Sequence, residues 1–266
     1  MSNILKNSKN LEIFGITRML DRIELRLQMK KYFELLLIIA RPAAGKSEVI
    51  DYLKKTPVTE RLDRYHIGEF SEIDDFPMLW TWFEEDALLE EMGHPRLHTT
   101  ADGYFKYIYL WDLLIRRICL EYQKLMRDFK GETVILEFSR GSEHGGFERA
   151  FNHLSKEILQ KLAILYINVP WEESLRKNRR RFNPNRPDSI LEHGLPDEKL
   201  VKMYRETDWH DLSRNHPEKL TIKNIEVPYV VFDNTDDVTT QQGPELGNRL
   251  EASLNILWSR YLVVKQ

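Results

Sequence analysis

One cysteine stands in 266 residues, Cys119, so no intrachain disulfide can form and the fold must be held by packing. A lone thiol on a segment of helical periodicity fits a reducing compartment, and a cytoplasmic location is expected. Net charge is nearly absent: 39 Lys and Arg against 42 Asp and Glu leave −3. A chain so balanced lacks the electrostatic footprint of a general binder of nucleic acid or anionic membrane, and neither partner is expected. Long hydrophobic runs are missing too. None approaches the ~18 residues that cross a bilayer, and the stretch from Met1 to Asn10 has no apolar core of signal-peptide type. The eight histidines make no metal pattern, because Pro95 falls between His94 and His98 and spoils their helical spacing. The sequence contains no internal repeat and no low-complexity tract.

What is present is 42% hydrophobic residues, enough for a sizeable core. A single domain over 1–266 is expected: an N-terminal helix within 1–32, a core over 33–266, a mobile substrate-facing insert near 76–103 and a lid near 171–210. Ile16, Met19, Leu20, Ile23 and Leu27 share one helical face, for packing beside the core or for a partner.

The strongest local signal is the apolar run Glu34 to Ala40 breaking into Arg41-Pro42-Ala43-Ala44-Gly45-Lys46-Ser47. A buried strand, a phosphate loop and a helix starting near Glu48 follow from it. In that geometry backbone N–H groups and the helix N-terminus surround phosphates, Lys46 reaches the β and γ oxygens, and the Ser47 hydroxyl ligates Mg²⁺. The residues from Arg41 to Ser47 are thus candidates for binding ATP, with Mg²⁺ as the second cofactor. Ala40 stands where the motif usually has its first glycine, so that position must use a conformation open to alanine.

Further strands are read over Arg64–Ile73, Thr133–Phe138, Leu162–Val169 and Tyr229–Phe232, the first of them ending at Asp74-Asp75-Phe76-Pro77, where proline stops it. A long helix is read over Tyr104 to Lys130, with Tyr107, Trp111, Leu114, Ile115, Ile118 and Tyr122 on its apolar face. The last helix carries Leu246, Leu250, Leu254, Leu257 and Tyr261. Strands alternating with helices imply an α/β fold of three layers, a parallel five-stranded sheet with helices on both faces. Ligands of such sheets lie beyond the carboxyl ends of the strands.

Chemistry-bearing residues collect at those ends. Glu137 closes strand three, where a carboxylate holds Mg²⁺ or accepts a substrate hydroxyl, or else caps the next loop. Asp74 and Asp75 close strand two. One of the pair is placed to take a proton from an attacking hydroxyl; the alternative is that both cap a turn. Arg140 follows Glu137 and suits a phosphate or hydroxyl of an acceptor, with His144 in the same loop. After strand four, Arg176, Arg179, Arg180, Arg181 and Arg186 crowd a short span, forming either an Arg-rich lid over ATP or a solvated basic face.

Gly45-Lys46-Ser47, Asp74-Asp75-Phe76, the strand ending in Glu137 and Val169-Pro170-Trp171-Glu172-Glu173 together resemble the P-loop kinases of small metabolites, nearest the uridine kinase and nicotinamide riboside kinase branch. The resemblance implies that Asp74 is the base, that Glu137 meets the metal or the sugar, and that Lys177 and Arg181 meet the phosphates, with Arg179 and Arg180 as neighbours of that role. It departs from the branch at Ala40 and at Phe138, where glycine usually follows the glutamate. The function implied is transfer of the γ-phosphoryl group of ATP to a small-molecule acceptor, nucleoside-like or sugar-like. The alternatives are a nucleotide-dependent regulatory switch, with Leu79 to Phe83 in its interface, and a nucleoside monophosphate kinase using Arg140 or Arg96 for the acceptor phosphate.

Overall fold

The computed structural model describes residues 31–181 and 195–265, all but Lys31 within the compact unit Tyr32–Gln266. The expected N-terminal helix and the middle of the expected lid lie outside the described residues.

The central strand β1 (Leu35–Ala40) is buried at every position, as its unbroken run of apolar side chains requires. Its alternate residues feed two separate cores. Leu35, Leu37 and Ile39 meet α4 (Tyr109–Leu125), α5 (Gly146–His153) and α6 (Lys156–Lys161) through Ile115, Ile118, Phe147, Phe151 and Ile158. Leu36, Ile38 and Ala40 meet α1 (Lys46–Lys55) and α11 (Gly243–Lys265) through Val49, Leu53, Leu250, Leu254 and Leu257. A period of two on the strand and helical stripes on both sides make the three layers.

Among the described residues the sheet has six strands rather than five, in the order β2-β3-β1-β4-β6-β5. Strands β2 (Phe70–Asp74), β3 (Thr133–Phe138), β1, β4 (Leu162–Asn168) and β6 (Ile225–Asp233) are parallel to one another. The extra strand, β5 (Lys219–Ile222), runs antiparallel on the edge beside β6. Its four residues carry too short a pattern to stand alone, and the pairing becomes visible only when Lys223 and Asn224, both at positive φ, turn the hairpin.

Strand two is shorter than its sequence pattern suggests. Tyr65 ends a helix, α2 (Val58–Tyr65), because the buried Arg61 donates to the carbonyls of Leu53, Thr56 and Gly68 and ties that helix to its neighbours. The expected mobile insert is built mainly as α3 (Asp75–Glu91). Pro77 lies in its first turn, where a missing N–H costs nothing, so it opens a helix rather than ending a strand. The chain beyond α3 returns through a loop held by Asp86, which is fully buried and accepts from the N–H groups of Leu97, His98 and Thr99 and the Thr99 hydroxyl. Helix α4 starts at Tyr109, leaving Tyr107 half exposed, while Leu110 and Cys119 join the buried face. No helix of the described residues is long and apolar enough to cross a membrane.

Candidate active site

The phosphate loop leaves β1 at Ala40, which is fully buried and still extended; alanine replaces glycine there without strain. The left-handed positions come later, at Ala43 (φ 56) and Gly45 (φ 108), the residue that precedes α1. Gly45 is required twice over: a Cβ on it would lie 2.4 Å from Thr239 Oγ1 and 2.9 Å from Asn234 Nδ2.

Two side chains from elsewhere hold the loop's carbonyls from behind. Ser174 Oγ, on α7 (Trp171–Arg181), donates to Pro42 O at 2.8 Å, and Asn234 Nδ2, just past β6, donates to Ala44 O at 2.8 Å. Both donors are completely buried. A planar trans peptide sends its N–H opposite its C=O, so the Ala43 and Gly45 amides point away from these anchors and toward the cleft they line. That is the donor array an anionic phosphate needs.

The cleft has a volume of about 600 Å³. Across β2 and β3 Asp74 and Glu137 are direct register partners, so the parallel ladder puts both carboxylates at adjacent strand ends beside the loop. Lys46 Nζ donates to Ser139 Oγ at 2.7 Å and lies 3.6 Å from Glu137 Oε1. Burial raises the Glu137 pKa, against the pull of the Lys46 charge. Asp74 accepts the Phe76 N–H at 3.0 Å, capping α3, and burial followed by the Glu137 and Asp75 charges pushes its pKa up to about 8.

Asp75 does something different. Its carboxylate pairs with Arg140 Nη1 at 2.6 Å, and both side chains are buried. The guanidinium also donates to Ser139 O and sits over the rings of Trp111 and Phe138. His144 stacks on Trp111 with centroids 3.8 Å apart; burial and then the Arg140 charge lower its pKa to about 3, so it is neutral.

The basic residues divide. Lys177, Arg180 and Arg181 line the cleft from α7. Lys177 Nζ donates to Asp237 Oδ1 at 2.7 Å and Thr239 Oγ1 at 3.2 Å. Arg176 and Arg179 do not line it: Arg176 is held by Glu173 and Asp237, and Arg179 by Asp197, so neighbouring carboxylates take the charges assigned to ATP. The Arg41 side chain also turns away, its guanidinium donating to the carbonyls of Val169, Tyr204 and Arg205 and tying the loop to the chain after α8 (Asp197–Tyr204).

Ser47 Oγ with the carboxylate of Glu137 offers hard oxygen donors, which fits Mg²⁺. No group of three or more His, Cys, Asp or Glu side chains among the described residues forms a ready metal site. A magnesium ion here would therefore draw its remaining ligands from phosphates and water, its usual mode.

Sequence reading missed Ser139, Ser174, Asn234 and Thr239. Asn234-Thr235-Asp236-Asp237 sits at the carboxyl end of a strand, which was a usable signal. Ser174, one turn into a charged helix, offered none.

No protein-family model matches this chain, and no curated protein does. Solved structures are similar at low level, three of them as follows. TT1252 from Thermus thermophilus has a TM-score of 0.41 at 14% identity, over 87% of this chain and 97% of that one. The tunicamycin resistance protein of Deinococcus radiodurans has 0.34 at 11%, over 78% and 92%. A sugar kinase from Janibacter sp. HTCC2649 has 0.34 at 13%, over 85% and 97%. Likenesses this distant carry no argument about function, which rests on the cleft itself.

Proposed function

We propose that this protein is an ATP-dependent phosphotransferase that moves the γ-phosphoryl group to a hydroxyl of a small metabolite. The observation that carries the reading is the strand-end register of Asp74 with Glu137, in one cleft with Lys46 and the phosphate loop. A loop that only binds nucleotide has no need of a second carboxylate beside it. A phosphotransferase does, because the attacking hydroxyl must lose its proton as the bond to phosphorus forms.

The loop N–H groups and Lys46 hold the phosphates; Lys46 leaves Ser139 and Glu137 to do so. Asp74, once ionised, takes the hydroxyl proton, and Arg180 and Arg181, with Lys177 once it leaves Asp237, offset charge on the transferring group. Bound Mg²⁺, held through Ser47 with Glu137 nearby, would neutralise phosphate charge. Catalysis on this account is positioning plus electrostatics. The likeness of motifs to uridine and nicotinamide riboside kinases supports a nucleoside-like acceptor.

The test is incubation of the full chain with ATP, Mg²⁺ and a pool of small hydroxyl compounds, with products read by mass spectrometry. A new phosphorylated compound together with ADP supports the reading. Phosphate release alone, unaffected by any acceptor, would replace it with the switch.

A further inference from the structure

Resting on that reading, we infer that the acceptor carries no phosphate of its own, and that Asp75 is the residue that decides this by masking Arg140. The acceptor is an uncharged or cationic alcohol.

The wall facing the phosphate loop is built from the start of α3, the start of α4 and the end of β3. Among the described residues, the guanidinium it presents to the cleft is that of Arg140. A bare arginine there would be a natural fork for a phosphate monoester. It is not bare. Asp75 Oδ2 lies 2.6 Å from Arg140 Nη1, with the two side chains 6% and 2% exposed, so the carboxyl covers the guanidinium out of reach of water, although burial raises the Asp75 pKa against the pull of the Arg140 charge. Nη1 also reaches Ser139 O at 2.7 Å, and the plane is fixed over Trp111 and Phe138.

Among the described residues of this wall no other side chain replaces that cation; Lys177, Arg180 and Arg181 line the cleft from α7 instead. His144, under Trp111, is held neutral by burial and by Arg140 itself. Arg96, the other candidate for an acceptor phosphate, is engaged by Glu90 and Thr99 and does not line the cleft. The carboxylates of Asp74 and Glu137 adjoin the same wall. A second phosphate brought there would meet carboxylates and an arginine already covered by Asp75, while a hydroxyl compound would meet a proton acceptor and the apolar surfaces of Phe76 and Leu79.

Asp75 is therefore a specificity residue, distinct from Asp74. The two adjacent aspartates divide their work because the first ends a strand and the second begins a helix, so their side chains leave the backbone in different directions.

The experiment is calorimetric titration of inorganic phosphate into the full chain saturated with Mg²⁺ and a non-hydrolysable ATP analogue, for the wild type, Asp75→Asn and Asp75→Asn/Arg140→Lys. Binding of the analogue itself tests the function proposed above and is read first. With the analogue bound, the wild type should take up no phosphate in the millimolar range. Asp75→Asn should bind it at least about tenfold more tightly than wild type, and Arg140→Lys in that background should reverse the gain. Uptake of phosphate by the saturated wild type, or no gain in a folded Asp75→Asn, would overturn the inference. Should Asp75→Asn not fold, turnover of the wild type on ribose against ribose 5-phosphate, and uridine against uridine monophosphate, decides it: preference for either phosphorylated partner sinks the proposal, and preference for the unphosphorylated ones sustains it.

Discussion

Lys46 rests with its ammonium 2.7 Å from the Ser139 hydroxyl and 3.6 Å from Glu137, so the cation that should meet the nucleotide is held by the end of β3. Nucleotide binding must exchange those partners for phosphate oxygens. Lys46→Met should weaken binding of an ATP analogue by more than about tenfold, since a charge-assisted hydrogen bond contributes on the order of 1.5–3 kcal/mol. The same change leaves Glu137 buried without its cation, so its pKa should climb further; calorimetry for binding and NMR titration of the carboxyl check the two effects.

Asp74 sets a pH dependence. With its pKa raised to about 8 in the empty cleft, kcat/KM should rise with pH through that region as the base ionises. Asp74→Asn keeps an acceptor for the α3 cap yet removes the base, and turnover should fall by about 10²–10⁴-fold with nucleotide affinity largely kept. Stability moves the other way. A carboxyl with a raised folded pKa binds more protons folded than unfolded, so it lowers stability progressively from about pH 4 to about pH 8. Asp74→Asn should flatten that slope, which urea denaturation at several pH values measures.

Ser174 and Asn234 are positioning residues for the loop, holding Pro42 O and Ala44 O. Ser174→Ala and Asn234→Ala should each raise KM for ATP several-fold while changing kcat less, and each should cost about 1–2 kcal/mol of stability. Asn234→Asp is the sharper test. It substitutes an acceptor for the donor facing a carbonyl, so it should be worse than alanine; equal loss in both would show that only packing matters.

Asp86 secures the loop after α3. Burial works against its ionisation, but the Thr99 hydroxyl and the Leu97, Thr99 and His98 amides hold its pKa far below the usual carboxylate range. Its stabilising contribution is therefore complete above about pH 4 and is lost only in strong acid. Asp86→Ala should destabilise the fold by about 3 kcal/mol at neutral pH, because four donors lose their acceptor; thermal melts check the size.

Much of the fold was legible because apolar periodicity is a local property. The five apolar positions of α11 and most of those of α4 are buried as their spacing requires. What escaped was decided by contacts. Arg61 turned the front of a strand-like segment into helix, Asp74 converted the stretch after β2 from insert to helix, and β5 exists because β6 lies beside it. In the site, the arginines after β4 looked alike in sequence, and only the placement of Glu173, Asp197 and Asp237 separated those that face the cleft from those that do not.

The run from Leu35 to Ser47 by itself determined a buried strand, a tight glycine-bearing loop and a helix start, since these depend on hydrophobicity and backbone geometry within a dozen neighbours. Only the tertiary structure decided which aspartate is open to a substrate and which is bound to Arg140, and which distant side chains turn the loop's amides toward the cleft. Those outcomes depend on where parallel strands end relative to one another, a matter of register and charge pairing between segments far apart in the chain.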